Sequence, residues 1–188
     1  MQKKDQMFSK FCEFKVLVEK DTQNYVKALR SDNGCEYISN EFKNFLAKEG
    51  IQRELIVPHN PQQNGVAERN NKTIMGATRD MLHDQGLLLH LWLETCNTTV
   101  FLQNRSPHRI LGMSTTKEAF SGKKPNVSYF KIFGSSIYVH VTKVSRKKLE
   151  PTAEIGIFLG YTDTPHNYRV YLSNNRMAIV RWDVKFDK

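Results

Sequence analysis

Three things are scarce in this sequence. No apolar run reaches about 18 residues, which excludes a membrane-spanning helix. There are only three cysteines, Cys12, Cys35 and Cys96, widely spaced and without a C-x-x-C pair. That argues against a disulfide framework and against a zinc finger, and fits reduced thiols inside a cell. The polar, lysine-bearing stretch before residue 11 lacks the apolar core of a signal peptide, so secretion is not expected. Repeats and low-complexity tracts are also missing.

Acid is scarce in one place only. The 188 residues carry a formal charge of +9, and all of the excess lies in 105–148, where ten Lys/Arg face the single acid Glu118. The flanks, 1–104 and 149–188, each balance to zero. A basic loop can be mere solvated surface. Nine uncompensated charges exceed what solubility needs, however, and phosphate backbone is the natural partner, since each neutralised phosphate releases a counterion.

The hydrophobic pattern divides the chain. Steps of three and four predict a helix over 5–20 with Phe8, Phe11, Cys12 and Val16 as its apolar stripe. A short strand over 25–30 ends at Ser31-Asp32-Asn33-Gly34. Ser39 caps a helix with Phe42, Phe45 and Leu46 inside and Gly50 closing it. A second strand covers 51–57. The stretch 58–65, with two prolines, two asparagines and a glycine, reads as a polar loop. A long helix over 66–85 places Glu68, Lys72, Met75 and Arg79 on the face opposite Val66, Ile74, Ala77 and Met81. An apolar helix over 87–103 follows, with Trp92 and Phe101 expected in the core. Beyond a basic, irregular segment with a short helix near 115–120, the period changes to two. Short strands near 137–141, 155–160, 168–172 and 177–180 predict a small barrel or sandwich.

Two acids stand where chemistry is usually placed. Asp32 closes a strand, and Glu68 lies on a polar helix face after a loop. Each alone is most often a plain turn or surface residue. If they met, their repulsion would call for a divalent cation with hard oxygen ligands, and Mg²⁺ suits such a site.

The strings Leu29-Arg30-Ser31-Asp32-Asn33-Gly34 and Pro58-His59-Asn60-Pro61-Gln62-Gln63-Asn64-Gly65-Val66-Ala67-Glu68-Arg69 resemble the integrase core of retroviruses and LTR retrotransposons, in the copia-type branch. The 35 residues between Asp32 and Glu68 match the family's D,D(35)E spacing. Tyr129-Phe130-Lys131-Ile132-Phe133-Gly134, Lys147-Lys148-Leu149-Glu150-Pro151, Gly156-Ile157-Phe158-Leu159-Gly160-Tyr161 and the close at 180–187 are similar to the SH3-like barrel that follows that core.

The resemblance implies an α/β fold: a partial RNase H-like core lacking its first strands over 1–106, a basic linker over 107–127 and an SH3-like β-barrel over 128–188. It makes Asp32 and Glu68 the second and third catalytic and metal-binding acids, with Mg²⁺ or Mn²⁺ as cofactor, weakly held. It makes His59, Asn60, Pro61, Gln62, Gln63, Asn64 and Gly65 a mobile catalytic loop, although His59 reads equally well as a plain loop histidine. Lys72, Arg69, Arg79, Arg146, Lys147 and Lys148 become DNA contacts, although Arg69 and Arg79 could also be solvated.

In the family, metal-dependent strand transfer integrates DNA. Here the segment bearing the first Asp is expected to precede residue 1, so the chain alone should be inactive. DNA, a homo-oligomer, no membrane and a nuclear setting complete the expectation. Two other readings stay open: a non-catalytic DNA-binding module using 105–148, and a structural or protein-interaction relic.

Overall fold

The computed structural model describes residues 6–31, 34, 37, 39–55, 61–141 and 151–186, with backbone alone at 6 and 61–64. It divides into two compact units, 1–71 and 72–188. The sequence suggests boundaries at 106/107, where Pro107 ends the first run of elements, and at 127/128, where the basic segment gives way to a period of two.

In the first unit, helix α1 (Gln6–Thr22) is followed by strand β1 (Ala28–Ser31), helix α2 (Asn40–Lys48) and strand β2 (Gln52–Leu55). Ser39 starts α2 as its residue type demands: its Oγ accepts the Phe42 N–H at 3.2 Å. Gly50, at φ +67°, ends it, and the Ile51 N–H turns back onto the Leu46 carbonyl at 2.9 Å. The crossover through α2 makes β1 and β2 parallel, with Ala28 opposite Gln52 and Ser31 opposite Leu55.

The core is small: Phe42, Leu46 and Ile51 are buried, with Phe8, Phe11 and Phe45 packed against them. The rings of Phe8 and Phe11 lie 5.5 and 5.2 Å from that of Phe42. Val16, expected on the stripe, is 52% exposed. The inward position next to it goes instead to Lys15, which spans Glu19 at 2.8 Å and Glu49 at 2.9 Å and so ties α1 to α2. Those two carboxylates raise the Lys15 pKa. Lys15, then the Val26 N–H at 3.0 Å, hold the Glu19 carboxyl below its ordinary range.

Helix α3 runs Pro61–Asp84, so its start is a correction. The sequence placed Pro61, Gln62, Gln63, Asn64 and Gly65 in a loop. A proline is tolerated in a first helical turn, where its missing N–H has no intrahelical acceptor in any case.

In the second unit, a 3-10 turn at Leu89–Leu91 leads into α4 (Trp92–Gln103), and α5 (Thr116–Ser121) follows. Thr115 caps α5 by accepting the Glu118 N–H at 3.0 Å. Five antiparallel strands then form one sheet: β3 (Ser136–His140), β4 (Ala153–Tyr161), β5 (Tyr168–Leu172), β6 (Met177–Arg181) and β7 (Val184–Phe186), in the order β6-β5-β4-β3-β7. Phe158 is the centre, fully buried, with the rings of Tyr161, Tyr168 and Phe186 at 5.2, 5.6 and 5.4 Å.

Helix α4 is part of this same core. Phe101 stacks on Tyr161 at 4.7 Å. Thr98 donates to the Leu159 carbonyl at 2.6 Å. Arg169 of β5 grips both oxygens of Glu94, which raises the arginine's pKa. Gly160, at φ +148° in a bulge of β4, makes the close approach possible, because a Cβ there would stand 2.0 Å from Thr98 Oγ1. Trp92, expected in the core, is 42% exposed at the start of α4 and is corrected accordingly.

Candidate functional site

Parallel strands present functional groups at their carboxyl ends. In the first unit those ends are Ser31 and Leu55, paired with each other. Asp32 is the residue after Ser31, and α3 begins six residues after Leu55. The two strands thus end at the same edge of the pair, Ser31 beside Leu55. Ser31 is 7% exposed, and its Oγ has no hydrogen-bond partner among the described residues.

Glu68 stands in the second turn of α3 and faces solvent. Lys72, Met75 and Arg79 continue its face, all exposed, in accord with the helical period. Lys72 lies about 6 Å further along the axis, so one carboxylate is followed by two cations on a single stripe. Arg69 is exposed beside it. Within the second unit, Arg79 and His83 edge a cleft of about 570 Å³ whose other walls include Met75, Leu87 and Trp92. Asp32, His59, Asn60, Arg146, Lys147 and Lys148 lie outside the described residues.

A hard divalent cation needs several oxygens gathered within about 2.5 Å of one point. Among the described residues, no group of three or more His, Cys, Asp or Glu side chains forms such a nest. The described part of the candidate site supplies one open carboxylate, Glu68.

The basic segment is better ordered than its composition announces. Pro107 bridges Thr115, and between them Arg109–Leu111 forms a 3-10 turn. Arg109 is exposed, as are Lys123, Lys124 and Lys131, while Arg105 is held over the Phe101 ring at 3.5 Å. At the far edge of the sheet, Trp182 is 76% exposed beside the exposed Arg181. Their neighbour Asp183 sits with its Oδ2 3.8 Å from His140 Nδ1. The sequence reading did not single out Arg181 and Trp182. An aromatic next to a cation at a strand end was the available signal.

Residues 135–188 match the retroviral polymerase SH3-like domain. A Pol polyprotein from transposon TNT 1-94 of Nicotiana tabacum is 40% identical over 97% of this chain and 14% of its own length. The Pol polyprotein from transposon RE2 of Arabidopsis thaliana is 29% identical over 100% of the chain and 13% of its own length. The transposon Ty1-LR3 Gag-Pol polyprotein of Saccharomyces cerevisiae is 24% identical over 94% and 10%. The chain therefore spans about one seventh or less of the curated relatives it matches. A chain in the cryoEM structure of a simian T-cell lymphotropic virus intasome in complex with PP2A regulatory subunit B56 gamma aligns over 96% of this chain and 64% of its own. Its identity is 15% and its TM-score 0.48, a likeness too slight to bear on function.

Proposed function

Because this chain carries a retroviral polymerase SH3-like domain and its homologues are copia-type retrotransposon Pol polyproteins, we propose that it is the integrase-derived part of such a polyprotein, and that it binds DNA. The observation that carries this is the 40% identity over 97% of the chain.

On this reading residues 1–106 descend from an RNase H-like catalytic core, 107–127 link it to the barrel, and 128–188 are the SH3-like barrel. Asp32 and Glu68 would be two of the acids that hold Mg²⁺ or Mn²⁺, with 58–65 shaping the approach to them. Such a metal would supply Lewis acidity toward phosphate oxygens and an attacking hydroxyl. Lys72, Arg69 and Arg79 then meet the phosphates of a DNA end, a role their exposure on α3 supports. Arg146, Lys147 and Lys148 add backbone contacts, as part of the charge excess in 105–148. Assembly as a homo-oligomer and a nuclear setting belong to the same proposal. Two acids are one short of the family's set, so these 188 residues by themselves bind DNA without turning it over. A non-catalytic DNA module is the second reading, favoured by the exposed Arg181-Trp182 pair.

A salt titration of duplex binding is the test. Log K should fall steeply with log salt, by roughly 0.9 for each phosphate neutralised. A flat profile, or no binding at low salt, would contradict the DNA reading. Strand transfer with Mn²⁺ by the chain alone would contradict its assigned inactivity.

A further inference from the structure

The loop from Pro107 to Thr115 is built with more care than a linker requires. Beside its bridging pair it closes through five backbone bonds: His108 N–H to Ser114 O at 3.0 Å, Leu111 and Met113 N–H to His108 O at 3.0 and 3.2 Å, Gly112 N–H to Arg109 O at 3.2 Å, and Ser114 N–H to Leu111 O at 3.2 Å. Gly112 and Met113 are both left-handed, at φ +63° and +69°. For glycine that is free, but a methionine there is strained, and such strain persists where surrounding structure enforces it.

This rigid loop buries none of its large apolar side chains. Ile110 is 87% exposed, Met113 68% and Leu111 40%, and none belongs to a hydrophobic cluster. A closed loop that fixes its backbone and holds isoleucine and methionine out in water is presenting them to something.

The charge of the loop and of the sequence after it selects the partner. Arg109 stands on the loop itself, Lys123, Lys124 and Lys131 follow, all exposed, and Glu118 is the single acid from 105 to 148. Two projecting apolar tips are too little area to hold a bilayer, which needs a broad apolar face or a second anchor. They do match the apolar wedges that proteins insert between base steps from the minor groove, with flanking cations on the phosphates.

We propose that the Pro107–Thr115 loop is a DNA wedge: Ile110 and Met113 enter a base step of duplex DNA while Arg109 and the following lysines hold the backbone, so that the chain prefers flexible or distorted DNA. The proposal rests on the DNA-binding reading above and goes beyond it, because basic side chains alone account for affinity and not for bending.

The test compares the full chain with Ile110→Ala/Met113→Ala and with Lys123→Ala/Lys124→Ala. Probes are a straight duplex and the same duplex with a central mismatch, each labelled at its ends for energy transfer. The original chain should bend the duplex and prefer the mismatched one by roughly tenfold, because an unpaired step costs less to unstack. The apolar double variant should lose bend and preference while keeping its salt slope. The lysine variant should keep the bend of bound DNA and lose about two phosphates' worth of slope. Salt-dependent binding with bend and preference unchanged in the apolar variant would overturn the wedge and leave DNA binding standing. No salt-dependent binding at all would overturn both. Loss of binding to anionic phosphatidylserine vesicles in the apolar variant, with DNA bending intact, would assign the loop to membrane instead. The altered residues are exposed, so equal melting temperatures should accompany every outcome.

Discussion

The two units differ in what they ask of their residues. Of the sixteen buried apolar side chains among the described residues, the first unit holds only Phe42, Leu46 and Ile51, and the second holds the other thirteen. The first leaves Phe14, Val16, Leu17 and Tyr25 more than half exposed and has a two-stranded parallel sheet. Parallel strands are normally covered on both faces, and a two-stranded sheet is marginal by itself. The second closes a five-stranded antiparallel sheet under a helix. The two acids proposed as catalytic thus belong to the thinly packed unit, and most of the buried apolar side chains belong to the other. Chemistry needs open carboxylates, which contribute nothing to a core.

The sharpest way to break this comparison is to empty each core. Phe158→Ala should cost about 3–5 kcal/mol, because the ring is fully buried against Tyr161, Tyr168 and Phe186. Denaturant unfolding followed by near-ultraviolet circular dichroism checks it. Phe42→Ala should abolish the first unit's protection from hydrogen exchange and leave the sheet protected. Equal loss in both units would show a single cooperative core.

A smaller effect is expected where α4 meets the sheet. Glu94→Gln should cost about 1–2 kcal/mol, less than a fully buried pair, since Arg169 keeps a third of its side chain in water. Thermal melting of the second unit reads it. In the first unit, Ser39→Ala should cost about 1 kcal/mol and fray α2, seen as faster exchange of the Phe42 amide.

The smallest effects are in pH. The Glu19 carboxyl is held below its ordinary value near 4.5, so its contribution is full above that value and fades as pH falls through the lowered one. Burial raises Tyr161 and Tyr168 above the ordinary 10, so the sheet loses stability as pH climbs past 10 through the raised values. The first unit should therefore loosen first in acid, and the sheet should weaken in strong alkali. Exchange mapped against pH separates the two.

The sequence made local structure readable wherever one residue type decides it. Ser39, Gly50 and the short apolar run 168–172 all signal what the structure contains. It misled where one residue type has two uses: Pro61 looked like a breaker and opens a helix, and Trp92 looked like core and lies at a cleft edge. Pairs distant in sequence were invisible. Nothing local announces that Thr98 will close on Gly160, or Glu94 on Arg169. Of the candidate site, the α3 stripe followed from helical periodicity. The pairing of Asp32 with Glu68 rests on spacing and resemblance.

That pairing is best tested by Mn²⁺ titration of the full chain under electron paramagnetic resonance, alongside Asp32→Asn and Glu68→Gln. The account predicts one weak site, lost or weakened at least tenfold in either variant, with unchanged melting because Glu68 is exposed. Identical Mn²⁺ binding in all three proteins would contradict it.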